Sequence, residues 1–429
     1  MCTTAVLGLA LILTGAPPRV VSITPENGDA RVDPALSELR VEFDQDMATS
    51  GYAWTGGGPA FPQTTGKPEW KSPRVCVLPV KLVPGHSYSL GINGGRFTGF
   101  QNPAGEPAEA LQLWFHTSGG DPVPALTPEQ NRVAIGELRT AIDGNYSYRD
   151  RLGLDWDALF AEFNDRLGGA DNPYAFALAV RDLLSRADDQ HISLRVGEDG
   201  FWIPPHPTNP NFDGRLVSRV VPGLERRSDA IAAGRFGDGI GYVLIQTWDR
   251  GMREQIEAVQ DVLTEMKDAP GLIIDVRPNS GGDEAIALDV AGRFVNKPTP
   301  YAKHRSLHDG VWGEVYTRTV QPADNGPGLT MPVCVLIGPG VMSSDEAYVL
   351  MMRAAGATLV GAPTYGSTGN PHPHELSNGV TVLLPSWRAT DLDGNDIEGV
   401  GVQPDIRVEA ESNSDSDPII DAALENLRR

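Results

Sequence analysis

The run Val333-Cys334-Val335-Leu336-Ile337-Gly338-Pro339-Gly340-Val341-Met342-Ser343-Ser344-Asp345-Glu346-Ala347 reads as a strand, a glycine turn, a pair of hydroxyls and a helix. A serine at such a turn projects its hydroxyl from a sheet edge, and the free N–H groups of the following helix can stabilise an oxyanion. This is the logic of a nucleophile elbow, although the sequence is not Gly-x-Ser-x-Gly. Capping a helix is the commoner use of such serines, so the local pattern leaves both roles open.

Other chemistry finds little support. His372-Pro373-His374 and the pair His304 and His308 accompany no His-Glu-x-x-His helix and no evident third ligand, so no metal site is expected. Gly56-Gly57-Gly58 lacks the Lys-Ser/Thr of a phosphate loop, which leaves nucleotide binding without support. No cofactor is called for. The formal charge of -21, from 35 basic and 56 acidic residues, argues against nucleic acid as a partner.

The elements that must position the serine follow from patterning. A chain of 429 residues exceeds one ordinary core, so several domains are expected. The stretch 1–18 carries no charge, holds an apolar run from Ala5 to Leu13 and then Thr14, Gly15 and Ala16, and reads as an export signal. The run is too short for a membrane span. An exported protein in the periplasm, cell envelope or medium is expected. Once the signal is gone, Cys76 and Cys334 fall in different expected domains, so no disulfide framework is expected.

Residues 19–120 alternate in short runs such as Leu39 to Phe43 and Leu111 to Phe115, the pattern of an antiparallel β-sandwich. The turn Pro25-Glu26-Asn27-Gly28 and the strand Phe43-Asp44-Gln45-Asp46-Met47 resemble those of bacterial Ig-like modules. Residues 125–198 read as a small helical bundle: Thr127 caps a helix with Pro128 first and Gln130 closing a capping box, and helices follow over Trp156 to Leu167 and Tyr174 to Leu184. From 199 to 429 strands and helices alternate: strand Tyr242 to Ile245, helix Glu254 to Lys267, strand Leu272 to Val276, helix Glu284 to Phe294, strand Val333 to Ile337, helix Ser344 to Ala355 and strand Thr358 to Val360. That is an α/β layer with largely parallel strands, whose ligands sit at the strand carboxyl ends.

Four motifs in this last region resemble those of the C-terminal processing (tail-specific) peptidase family, which includes the tricorn protease core and retinoid-binding relatives. In that family the nucleophile lies three residues before a Glu, which here counts back from Glu346 to Ser343. Leu272 to Gly282 looks like the "D-x-R-x-N-x-G-G" strand and turn, Val360 to Gly366 like "V-G-x-P-T-x-G", and Ile397 to Asp405 like "E-G-x-G-V-x-P-D". The resemblance implies a multidomain chain with a ClpP/crotonase-like α/β peptidase core and hydrolysis of peptide bonds by a serine acyl-enzyme. An N–H of Gly281 or Gly282, paired with that of Ser344, would form the oxyanion hole.

The chain departs from the better-known branch at the base. Where that branch has a lysine after "P-T-x-G", this chain has Ser367, which excludes a serine–lysine dyad. The tricorn-like branch takes its base from an "L-x-D-x-H-x-x-L" segment, matched from Ala187 to Leu194 except for the alanine at its first position, so His191 is the expected base. A serine before that histidine normally links it to a glutamate. Here Gln190 stands in its place, while Glu398 matches the glutamate and would orient His191 or the Gln190 amide. The stretch Glu198 to Gly239 is too short for the peptide-binding insert of many relatives, so a peptide or protein substrate is expected and a preference for protein tails is not predicted. A non-catalytic peptide or small-hydrophobe carrier on the same fold, hydrolysis of a non-peptide ester or amide, and homo-oligomerisation all stay open.

Overall fold

The computed structural model describes residues 16–94, 97–204, 211–324, 326, 328–409 and 416–429. The expected export signal lies almost wholly outside the described residues. No described helix is long and apolar enough to cross a membrane. The fold is mixed α/β and divides into two compact units that interleave along the chain.

The first unit comprises the described parts of Met1–Leu138, Asp155–His206 and Glu375–Val382. Its early half holds two antiparallel sheets. One joins Val20–Thr24, Glu38–Phe43, Val75–Lys81, Gln63–Thr64 and Glu69–Ser72, and the other joins Trp54–Thr55, Ser87–Ile92 and Leu111–His116. The alternation read from the sequence does the packing: Leu39 together with Leu78 and Val80 of the first sheet meets Tyr88, Leu90, Leu113 and Phe115 of the second in one apolar cluster. Asn27 ties the loop between Val20–Thr24 and Glu38–Phe43 to the strand Leu111–His116, donating to Gln112 O at 2.8 Å and accepting from Trp114 N–H at 2.9 Å.

The helices start where their caps place them. Gln130 N–H donates to Thr127 Oγ1 at 3.3 Å and Thr127 N–H returns to Gln130 Oε1 at 2.9 Å, and the helix runs Pro128–Asn145. Asn172 accepts from Tyr174 and Ala175 N–H, both at 2.9 Å, and opens Pro173–Leu184. The span expected as one helix from Trp156 to Leu167 is two, Trp156–Glu162 and Asn164–Gly168. At Phe163, ψ 1 turns the backbone off the α ladder.

The second unit comprises Arg139–Leu154, Leu383–Arg429 and the intervening Pro207–His374, as far as these are described. Its frame is a seven-stranded sheet in the order Glu225–Arg226, Ile231–Arg235, Gly241–Ile245, Leu272–Asp275, Val333–Ile337, Thr358–Gly361 and Ile406–Arg407. The strands from Gly241 onward pair in parallel, and the two leading strands run antiparallel. The continuous apolar strands are buried on both faces. Val333, Val335 and Ile337 enter one core with the helices Ala258–Glu265, Glu284–Ala291 and Ser344–Ala354, while Cys334 and Leu336 enter another with the helix Pro418–Leu427. The helix expected from Glu254 to Lys267 is broken into Arg253–Ile256 and Ala258–Glu265. A second sheet, outside the sequence reading, sets Thr299–His308 between Tyr316–Val320 and Trp387–Thr390.

One ion network lies inside this unit. Arg277 and Asp275 have fully buried side chains, and the guanidinium meets Asp275 Oδ2 at 2.7 Å and Asp417 Oδ2 at 2.8 Å, with Tyr242 O–H donating to Asp275 at 2.7 Å. Burial pulls the guanidinium down, but the two carboxylates win and hold it above its ordinary range. Replacing Arg277 by Met leaves two buried acids without their cation. We expect a loss of about 3–5 kcal/mol in urea unfolding followed by circular dichroism. A loss under about 1 kcal/mol would mean that the network does not hold the strand end.

Candidate functional site

The expected site residues of the second unit gather where three parallel strands end. The turns after Leu272–Asp275, Val333–Ile337 and Thr358–Gly361 carry Asn279 to Gly282, Gly338 to Ser343 and Thr364 to Thr368. Ser343 stands at φ 59 and ψ -127, a region that a residue with a Cβ occupies only under constraint and at a cost of about 1–3 kcal/mol. Its N–H is shared between Ser367 O at 3.0 Å and Glu346 Oε2 at 3.2 Å, and its carbonyl accepts from Glu346 N–H at 2.9 Å.

Glu346 is the clamp. It is fully buried, and besides Ser343 N–H it accepts Ser367 N–H at 2.9 Å, Gly366 N–H at 2.7 Å and the Thr364 hydroxyl at 2.5 Å. Burial pushes its carboxyl up to about 7 against the pull of these four donors. The sequence marked Glu346 only as a landmark for counting back to the serine.

The glycine turn lies against the elbow. Gly281 and Gly282 take φ 99 and 141, and a Cβ on Gly281 would fall 2.7 Å from Met342 O, 2.9 Å from Ser343 Cβ and 3.2 Å from Ser344 N. Gly281 N–H donates to Asn279 Oδ1 at 2.9 Å. Gly282 N–H donates to Ser344 Oγ at 2.7 Å, and the Ser344 hydroxyl donates back to Gly282 O at 2.7 Å. Trp248, fully buried, brackets the turn: its N–H reaches Gly281 O at 3.0 Å, its carbonyl accepts from Asp283 N–H at 2.7 Å, and its indole N–H donates to Asp345 Oδ1 at 2.7 Å. Burial, with Glu346 and Asp275 nearby, raises the Asp345 carboxyl well above its ordinary range. The role of Trp248 was missed because nothing in the sequence marks a tryptophan after a strand as a brace.

Glu398 is buried in the same unit. Thr368 donates to its Oε2 through the backbone N–H at 2.6 Å and through the hydroxyl at 3.3 Å. Tyr148 O–H lies 2.7 Å from Thr368 Oγ1. Among the described residues no group of three or more His, Cys, Asp or Glu stands together as metal ligands would.

Gln190 and His191 belong to the first unit. A short turn at Ser185–Ala187 ends at Asp188, which takes φ 51 and ψ 50, and Asp189 accepts His191 N–H at 3.0 Å. Gln190 Nε2 donates to Pro204 O at 3.1 Å. His191 keeps some solvent exposure, yet the protein packed round its ring desolvates it and pushes its pKa down to about 4.

The Glu346 clamp has a pH signature. Its folded-state value of about 7 lies above the ordinary 4.5, so the folded form binds more protons between these values. Stability from this group is complete below pH 4.5 and is lost as pH rises through 7. Relative to Glu346→Gln, the wild type should lose roughly 3 kcal/mol between pH 4.5 and 8 in thermal or urea unfolding. A flat difference would show that the four donors keep the carboxylate ionised throughout.

Residues 239–408 match the family model described as peptidase family S41. The carboxyl-terminal-processing protease of Synechocystis sp. is 26% identical over 244 residues, 55% of this chain and 53% of that protein. Carboxy-terminal processing protease CtpB of Bacillus subtilis is 26% identical over 174 residues, 40% of this chain and 34% of that protein. The alignments thus span about a third to a half of these relatives. Among solved structures, a putative peptidase from Parabacteroides merdae matches with a TM-score of 0.60 and 23% identity, over 70% of this chain and 97% of that one. A lipoprotein from Streptococcus agalactiae matches with a TM-score of 0.50 and 16% identity, over 71% and 97%. These two likenesses concern the fold. Residues 239–408, with the serine elbow and its three motif turns, are a domain of peptidase family S41.

Proposed function

We propose that the protein is a serine peptidase acting on peptides or proteins through an acyl-enzyme. The observation that carries this reading is Ser343 at positive φ, on the strand-to-helix elbow, with the glycine turn against it. Ser343 Oγ attacks the peptide carbonyl carbon as its proton passes to His191. The tetrahedral oxyanion is met by Ser344 N–H, joined by a glycine N–H of 281 or 282 when the incoming oxygen displaces its present acceptor. The C–N bond then breaks as His191 returns the proton to the amine, and water hydrolyses the ester. Glu398 orients the base, and Gln190 supports that contact. The apolar run Ala5 to Leu13 supports export, and the two-sheet module fits an Ig-like spacer or substrate-positioning domain.

The engaged glycine N–H groups favour one rival, a carrier on the same fold with no working oxyanion hole. Labelling with a serine-reactive fluorophosphonate separates the two. The wild type should label, and Ser343→Ala and His191→Ala should each lose at least about a hundredfold in rate while staying folded. A wild type that never labels, at any pH, would favour the carrier.

The pH profile of labelling tests the base. With His191 pushed down to about 4, the neutral ring persists throughout the ordinary range, and the rate should fall only below about pH 4, where protonation removes the acceptor. An acid limb at 6 to 7 would mean that a solvated imidazole or another group is the base.

A further inference from the structure

We infer that Thr368 and Tyr148 are positioning residues that fix Glu398 and couple it to the nucleophile, an inference that rests on the peptidase reading. The coupling runs through one peptide group. The carbonyl of Ser367 accepts Ser343 N–H at 3.0 Å, and the N–H of Thr368, at the opposite edge of the same planar amide, donates to Glu398 Oε2 at 2.6 Å. An amide that accepts at its carbonyl edge and donates to a carboxylate at its N–H edge is polarised in a single direction, and each bond strengthens the other. A shift of Glu398 therefore tilts the acceptor that holds the Ser343 backbone in its constrained conformation.

The side chains set the proton order of a second path. Ala389 N–H donates to the Tyr148 oxygen at 3.2 Å, and the phenol keeps its own hydrogen to donate. Thr368 Oγ1, 2.7 Å away, takes that hydrogen and gives its own to Glu398 Oε2. With Glu398 ionised and accepting the Thr368 hydroxyl, the order consistent with both contacts runs from Tyr148 through Thr368 to Glu398. The three side chains are all nine-tenths or more buried, at 2%, 9% and 4% exposure, where such a chain is least diluted by water.

Tyr148 is itself held. Ser147 N–H donates to Pro385 O at 2.9 Å, Ser147 O–H donates to Trp387 O at 2.8 Å, and the Arg388 guanidinium lies 5.6 Å from the Tyr148 ring centroid. Gly399 N–H donates to Gly366 O at 2.7 Å, pinning the backbone beside Glu398 to the same turn. The turn Thr364 to Thr368 thus binds two buried acids at once. Glu346 takes the Thr364 hydroxyl and the N–H groups of Gly366 and Ser367, and Glu398 takes both donors of Thr368.

The test is the concentration dependence of fluorophosphonate labelling at Ser343 in the full chain, which separates the maximal rate from the half-saturating concentration. Thr368→Val keeps the shape and removes the hydroxyl. Its maximal rate should fall about tenfold, the size expected for a lost hydrogen bond to a charged group, with half-saturation unchanged. Tyr148→Phe keeps the ring beside Arg388 and should fall about threefold to tenfold, and it carries the test if the valine variant does not fold. The double variant should be no slower than Thr368→Val alone, because the relay places the phenol upstream of the threonine. Thr368→Ser should recover the rate to within about threefold of wild type. A wild type that labels beside variants of equal maximal rate, or a double variant with the product of both losses, overturns the relay and leaves the peptidase reading standing. A wild type that does not label removes both.

Discussion

The buried carboxylate of Glu346 is the constraint on which the elbow depends. Four donors from two separate stretches of chain converge on it, one from Ser343 and three from the turn Thr364 to Ser367. Removing such a group would leave several donors unsatisfied inside the protein, each at a cost of about 1–3 kcal/mol. That exceeds the strain of about 1–3 kcal/mol carried by Ser343 at positive φ. The geometry of Ser343 is thus held by polar contacts beneath it rather than by the apolar core of the helix it begins.

The motif from Asp275 to Gly282 divides its labour in the same way. Asp275 and Arg277 face inward to Tyr242 and Asp417 and lock the strand end to the last helix, which Asp417 caps by accepting Ile419 N–H at 3.1 Å. Asn279, Gly281 and Gly282 face the elbow. Gly282 could not carry a side chain, since a Cβ would lie 2.2 Å from Trp248 C. One half of the motif is a scaffold and the other a contact surface, although the sequence presents them as one run.

Much of this was legible because the relevant signals are local. Apolar strands buried on both faces announced the parallel sheet, with Val333–Ile337 falling on its expected bounds. Thr127 and Asn172 announced their helices through caps written within a few residues. What was not legible depends on distant partners. Thr299–His308 is mostly polar and becomes a strand by pairing with Trp387–Thr390, far along the chain. Tyr148 meets Thr368 across 220 residues, with no spacing rule to connect them. The present acceptors of Gly281 and Gly282 were also hidden, because a glycine motif states that the backbone can approach closely and not what it approaches.

Asp345 and Glu346, adjacent on the first turn of the elbow helix, show how donor supply decides charge. Both would be favoured as anions by the helix N-terminus, and burial pushes both upward. Glu346 has four donors and titrates near 7, while Asp345 has the Trp248 indole on one oxygen and no hydrogen-bond partner for the other among the described residues. Burial, with the carboxylates of Glu346 and Asp275 nearby, therefore biases Asp345 toward its neutral form more strongly than an ordinary aspartate. Two fixed anions at this helix end would repel each other and any oxyanion forming at Ser344 N–H, by a Coulomb term of about 4 kcal/mol for unit charges 4 Å apart at an effective dielectric of 20. The upward push on Asp345 favours the form that leaves the helix end able to accept the negative charge that acyl transfer would create there.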